Sequence, residues 1–139
     1  MVNIAALEKV ITFIEDHPEK HVQSRWTCET GACMAGWGAL LHGYSVLPGF
    51  RKIVVPPGKE HDLEAAISVR QAAQEVFDID YLTAHLLFLG GNSAETLRLM
   101  VKDLANGEDI AKNWESHSDV VEVLKNGTVR TSLPYAVKR

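Results

Sequence analysis

The stretch Trp26-Thr27-Cys28-Glu29-Thr30-Gly31-Ala32-Cys33-Met34-Ala35-Gly36-Trp37 is rich in small residues and bounded by tryptophans. Thr30 reads as a helix N-cap, and residues 31–42 as the helix, stopped by Gly43. Gly31, Gly36 and Gly38 each cost about 1 kcal/mol relative to alanine in a helix interior. Three such costs in one helix call for a compensating contact. Close approach supplies one: without side chains, another backbone or a large ring such as Trp26 lies directly on the helix. Cys33 and Trp37, four residues apart, share a face. Trp26, Cys28, Thr30, Cys33, Gly36 and Trp37 are therefore expected to form the structural hub of the fold.

Outward from this segment the pattern is mostly helical. Asn3 caps a first helix with Ile4, Leu7, Ile11 and Ile14 at helical spacing, widened by Val10 and Phe13. Pro18 ends it near His17, because proline disfavours helical geometry in the residue before it. Asp62 opens a third helix to about Phe77, and Asp80 caps a fourth to Leu89. Asn92 or Ser93 caps a fifth, with Glu95 in the capping-box position after Asn92 and Leu97, Met100, Val101 and Leu104 as its buried stripe. Two more helices are expected over residues 108–117, with Ile110 and Trp114 one turn apart, and residues 118–127. Residues 44–60 hold Pro48, Gly49, Pro56, Pro57 and Gly58 and read as the main irregular region.

These elements predict a mainly α fold, a compact bundle of five to seven helices. A small two- or three-stranded β-sheet has three candidate strands: residues 21–28, Phe50–Val55 and residues 128–133. Residues 1–127 form one domain, and residues 128–139 a tail that pairs as an edge strand or stays disordered.

Composition narrows the function classes. The 46% hydrophobic content offers enough apolar surface to offset chain entropy, so disorder is not expected. The net charge of −4 repels a phosphate backbone on average, so nucleic acid is a poor default partner. No apolar run approaches the ~20 residues that span a bilayer, so no membrane partner is expected. The first residues carry Glu8, Glu15 and Asp16 and lack the basic start of a secretory signal. The expected setting is cytoplasmic, with reduced thiols.

The segment Trp26-Thr27-Cys28-Glu29-Thr30-Gly31-Ala32-Cys33-Met34-Ala35-Gly36-Trp37 resembles a signature of small uncharacterised proteins of bacteriophages, especially actinobacterial ones, and of their hosts. His17-Pro18-Glu19 is similar to the end of their first helix. The stretches Ala73-Gln74-Glu75-Val76-Phe77-Asp78-Ile79 and Leu86-Leu87-Phe88 resemble later parts of those chains. The likeness covers roughly residues 4–104. It implies a phage or bacterial cytoplasmic setting and transfers no activity.

Three readings of the cysteines stand side by side. Both are small buried hydrophobes, or they form a reversible disulfide across the four-residue gap, or they ligate a metal. In the second, Cys33 is the better reactive thiol if it is exposed, since the first turn of a helix favours thiolate. A structural zinc needs four nitrogen or sulfur ligands. Cys28 and Cys33 supply two, and His17 and His21 on the preceding connection are the remaining candidates. His42 is excluded on a continuous helix: nine residues from Cys33 amount to about 13 Å of rise and a half-turn to the far face.

The rest of the chain offers little chemistry. Glu75, Asp78 and Asp80 read as a turn and a cap, and His85 as a core-edge histidine. The helix pair 62–89 fails as a helix-turn-helix: its second helix has no Arg, Lys, Asn or Gln to read bases. Gly90-Gly91-Asn92 lacks the lysine of a phosphate loop and reads as a turn. No catalytic residue and no cofactor is implied. The leading expectation is a non-enzymatic protein that binds a host or phage protein. One alternative is a small metal-binding or thiol-redox protein using Cys28 and Cys33, with zinc as the metal. The other is a homo-oligomer that sequesters a small signalling nucleotide.

Overall fold

The computed structural model describes residues 1–27, 31–47, 49–90 and 92–110. Helix α1, Ile4–Asp16, starts where the Asn3 side chain accepts the Ala6 N–H at 3.1 Å. It buries Leu7, Val10, Ile11 and Ile14 in one stripe, with Ile4 and Phe13 at its margin. A 3₁₀ turn, Pro18–Lys20, follows. Helix α2 is Met34–Leu40. Strands β1, Ser45–Leu47, and β2, Phe50–Val55, form an antiparallel hairpin whose register slips between Val46 and Leu47. Strand β3, Ile67–Ser68, pairs on the other side of β2, giving the order β1-β2-β3. Helices α3, Val69–Phe77, α4, Tyr81–Leu87, and α5, Ala94–Ala105, complete the described chain.

The mainly α bundle is thereby corrected to a mixed α/β fold: the described residues form five α-helices and a three-stranded antiparallel sheet. Of the expected strands, Phe50–Val55 is β2. Residues 21–27 make only isolated bridges, His21 and Thr27 each to Ala32. Residues 128–133 lie outside the described residues, as do the expected helix 118–127 and all but residues 108–110 of the expected helix 108–117. The two strands that flank β2 come from segments read as loop and as helix. Ser45–Leu47 pairs because its neighbour folds back on it across the Gly49 turn, where φ is +83°.

The third expected helix also starts late. Asp62 caps only the 3₁₀ turn Leu63–Ala65, accepting the Glu64 N–H. The chain then extends through Ala66 into β3, and the true cap of α3 is Ser68, whose hydroxyl accepts the Gln71 N–H at 3.0 Å. Leu63, Ala66 and Ile67 imitate a helical stripe, but two residues of strand pairing with Ile53 and Val54 override it. Asp78 closes α3 in the left-handed conformation. Asp80 caps α4 and Ser93 caps α5, accepting the N–H groups of Thr83 and Thr96.

The core lies where α1 packs against α2, α3 and α5, and α3 packs against α2 and β2. It contains Leu7, Ile11, Ile14, Met34, Val54, Phe77, Leu86, Leu97 and Met100, all without exposed surface. At the edge of this core Arg98 on α5 ties the helix to α1 by pairing with Glu8 at 2.7 Å and Glu15 at 2.5 Å.

Candidate functional site

Residues 20–36 are organised by backbone approach. Ala32 donates its N–H to the Lys20 carbonyl and accepts from Val22, so this part of the chain runs extended rather than helical. The helix expected from residue 31 therefore begins at Met34, and Cys33 is its cap. Thr30, the expected cap, and Cys28 lie outside the described residues. Gly36 faces the Trp26 carbonyl oxygen and Gly31 faces the Lys20 carbonyl, each too closely for any side chain. Gly38 faces the Phe77 ring, with a would-be Cβ 2.6 Å from Cζ. The close approaches to Gly31 and Gly36 are thus backbone, and the ring that overlies the helix is Phe77 rather than Trp26. The Trp26 ring instead meets Phe88 edge-on at 6.2 Å. Trp37 packs on Phe13 at 4.6 Å and donates its indole N–H to the Lys20 carbonyl.

Cys33 is buried, and its sulfur accepts the Gly36 N–H at 3.4 Å. Burial pushes its thiol up to about 11, outweighing the downward pull of the backbone N–H groups of Gly36 and Ala35. The exposure that an activated thiol at Cys33 requires is absent: the helix end favours thiolate, but desolvation wins. His17 stacks on Phe13 at 4.6 Å and lies 3.7 Å from Glu19. His21 donates from Nε2 to the Gln23 side-chain oxygen at 2.8 Å. His42 is tied to the Gly38 carbonyl on its own helix. Among the described residues no three His, Cys, Asp or Glu side chains converge as metal ligands.

The residues that join this segment to the rest of the fold are Gln23 and Asn92. Gln23 accepts the Met34 N–H at 3.1 Å and donates to the carbonyls of Leu87 and Leu89. Asn92, which sequence reading offered as a cap for α5, is buried and donates to the carbonyls of Leu86 and Leu87. The last carbonyls of a helix lack partners within it, and these two amides supply them for α4. Nothing in the local sequence pattern marks Gln23, because its partners at the end of α4 lie 64 and 66 positions away.

The surface feature with the most unspent binding capacity lies on α3 and α4. Arg70, in the first turn of α3, crosses to α4 and places its guanidinium carbon 4.0 Å over the Tyr81 ring. Its Nη2 donates to the Tyr81 carbonyl at 3.1 Å. Its Nε is buried with no hydrogen-bond partner. No carboxylate lies within 4.0 Å of it among the described residues, in contrast to Arg98 with two. The two acids between α3 and α4 are engaged elsewhere: Asp80 caps α4, and Asp78 pairs with the Met1 ammonium. His85, one turn along α4, stacks beside Tyr81 with ring centroids 6.4 Å apart. Burial, with Arg70 as the secondary cause, holds His85 below the ordinary imidazole value, so it is neutral near pH 7. Tyr81 is 66% exposed and its neighbour Leu82 43%. Sequence reading passed over this face. The apolar run of α4 held a signal: a seven-residue helix with Tyr, Leu, Ala, Leu and Leu around its circumference cannot bury them all.

No family model, curated protein or solved structure matches the chain. Among the described residues, no helix is long and apolar enough to cross a membrane.

Proposed function

We propose that the chain is a non-enzymatic interaction protein that binds a host or phage protein in a phage or bacterial cytoplasm, and that it does so through the α3–α4 face. The supporting observation is the exposed Tyr81 ring under Arg70, which has no carboxylate partner among the described residues, with exposed Leu82 next along α4. Tyrosine and arginine are the residue types that concentrate binding energy at protein interfaces. Tyr81 offers a large rigid surface with little rotamer entropy to lose. The buried thiol of Cys33 and the packed glycines around it support a structural part for residues 26–37 in this reading.

The test uses the full chain as bait in a bacterial extract, beside the double variant Tyr81→Ser/Leu82→Ser. The expected result is a discrete partner whose affinity falls at least tenfold in the variant, with an unchanged melting temperature. A partner set identical for both proteins, or turnover of a metabolite by the purified chain in a broad activity screen, overturns the proposal.

A further inference from the structure

We infer that the partner docks an acidic segment on this face, a side-chain carboxylate engaging Arg70 while an adjacent apolar side chain covers Tyr81 and Leu82. The inference rests on the α3–α4 face being the docking surface, and adds the chemistry of what docks there.

Arg70 carries the argument. A guanidinium has five N–H donors in a planar fork and cannot shed its charge. Here one donor reaches a carbonyl, the ring of Tyr81 lies beneath, and Nε–H points out of water with no acceptor. An unpartnered buried donor is costly, and a bidentate carboxylate is the group that matches an arginine fork. Such a carboxylate reaches Nε–H and one terminal N–H together once the guanidinium turns slightly outward from its present pose. Arg98 shows the same chain satisfying an arginine from within, by Glu8 and Glu15. At Arg70 no described acid does this, which leaves the fork open to an acceptor from a partner.

The surroundings favour a carboxylate on a polypeptide over a free anion. Neutral His85 adds no positive charge to attract a polyanion. The exposed Tyr81 ring abuts the cation, exposed Leu82 follows it on α4, and this apolar surface calls for an apolar companion on the same ligand. A basic ligand is opposed by Arg70 itself.

The probe is N-acetyl-glutamyl-leucine amide, compared with its glutamine, lysine and phosphoserine counterparts. Binding is followed by the Arg70 Nε–H and Tyr81 ring signals in NMR spectra of the full chain, up to about 10 mM, where millimolar affinities saturate. The expected result is saturable movement of both signals by the glutamyl peptide, with at least tenfold weaker binding of the glutamine and lysine peptides. Arg70→Gln reduces glutamyl binding to the glutamine level, and Arg98→Gln leaves it unchanged. Equal binding of the glutamine peptide, preference for phosphoserine, or full binding by Arg70→Gln overturns the carboxylate assignment. If that binding still depends on Tyr81 and Leu82, the docking face itself survives. Absence of movement with all four peptides overturns both.

Discussion

Replacing Gly36 by alanine tests the central packing of residues 20–36. The added Cβ overlaps the Trp26 carbonyl oxygen and stands 2.6 Å from the Ala32 Cβ. Neither neighbour yields cheaply. One is backbone, and the other belongs to a residue held by its own N–H bond to the Lys20 carbonyl. Helix propensity alone favours alanine by about 1 kcal/mol. Overpacking opposes it by up to about 3 kcal/mol. Displacing the Trp26 carbonyl also endangers the bond from Cys33 N–H to the Arg25 carbonyl, about 1 kcal/mol more. The net is a destabilisation of about 3 kcal/mol. For 139 residues, unfolding entropy scales to roughly 0.3 kcal/mol per degree, so the melting temperature falls by about 10 °C. Thermal and urea unfolding followed by circular dichroism measure this directly. Gly90→Ala is the control, since its Cβ meets Ser24 and the Gln23 carbonyl no closer than an ordinary 3.5 Å. A Gly36→Ala protein as stable as the wild type refutes the packing of this segment on α2.

Other outcomes follow from the same geometry. Gln23→Leu leaves the Met34 N–H without its acceptor, while the Leu87 and Leu89 carbonyls keep their bonds from Asn92, and is expected to cost about 2 kcal/mol in urea unfolding. In a Cys28→Ser background, Cys33 resists iodoacetamide at pH 8 in the folded state and reacts once unfolded, because burial holds its thiol near 11. Glu15, hydrogen-bonded to Arg98, has a carboxyl held below its ordinary 4.5. A depressed folded value stabilises the native state above pH 4.5, and that contribution fades as pH falls through the folded value. Solvent screening limits it to roughly 0.5 kcal/mol, so Arg98→Met removes a small acid-side slope from the pH–stability curve.

Local signals carried well from sequence to structure. Asn3, Asp80 and Ser93 cap helices because their side chains bond to an N–H three residues on, a contact that spacing alone specifies. The stripe of α1 was legible for the same reason. What failed depended on distant partners. Gly31 and Ala32 look helical by neighbourhood, yet the Lys20 carbonyl and Val22 N–H hold Ala32 extended. Ile67 fits a helical face until β2 takes it into the sheet. Cys33 looked like a thiol at a helix end, but whether core atoms enclose it is a tertiary fact. Arg70 over Tyr81 needed α4 to fold back beside α3, an arrangement that residues eleven apart do not announce.

The proposed function is tested most directly by placing an aromatic photo-crosslinking residue, which keeps a ring beneath Arg70, at position 81 in the full chain, and separately at exposed Arg25. Both are produced in bacteria with Arg70 intact and with Arg70→Gln. The account predicts one discrete adduct from position 81, joined through an acidic segment of the partner and lost in Arg70→Gln, with none from position 25. An adduct from position 25 alone, or one from position 81 indifferent to Arg70, contradicts it.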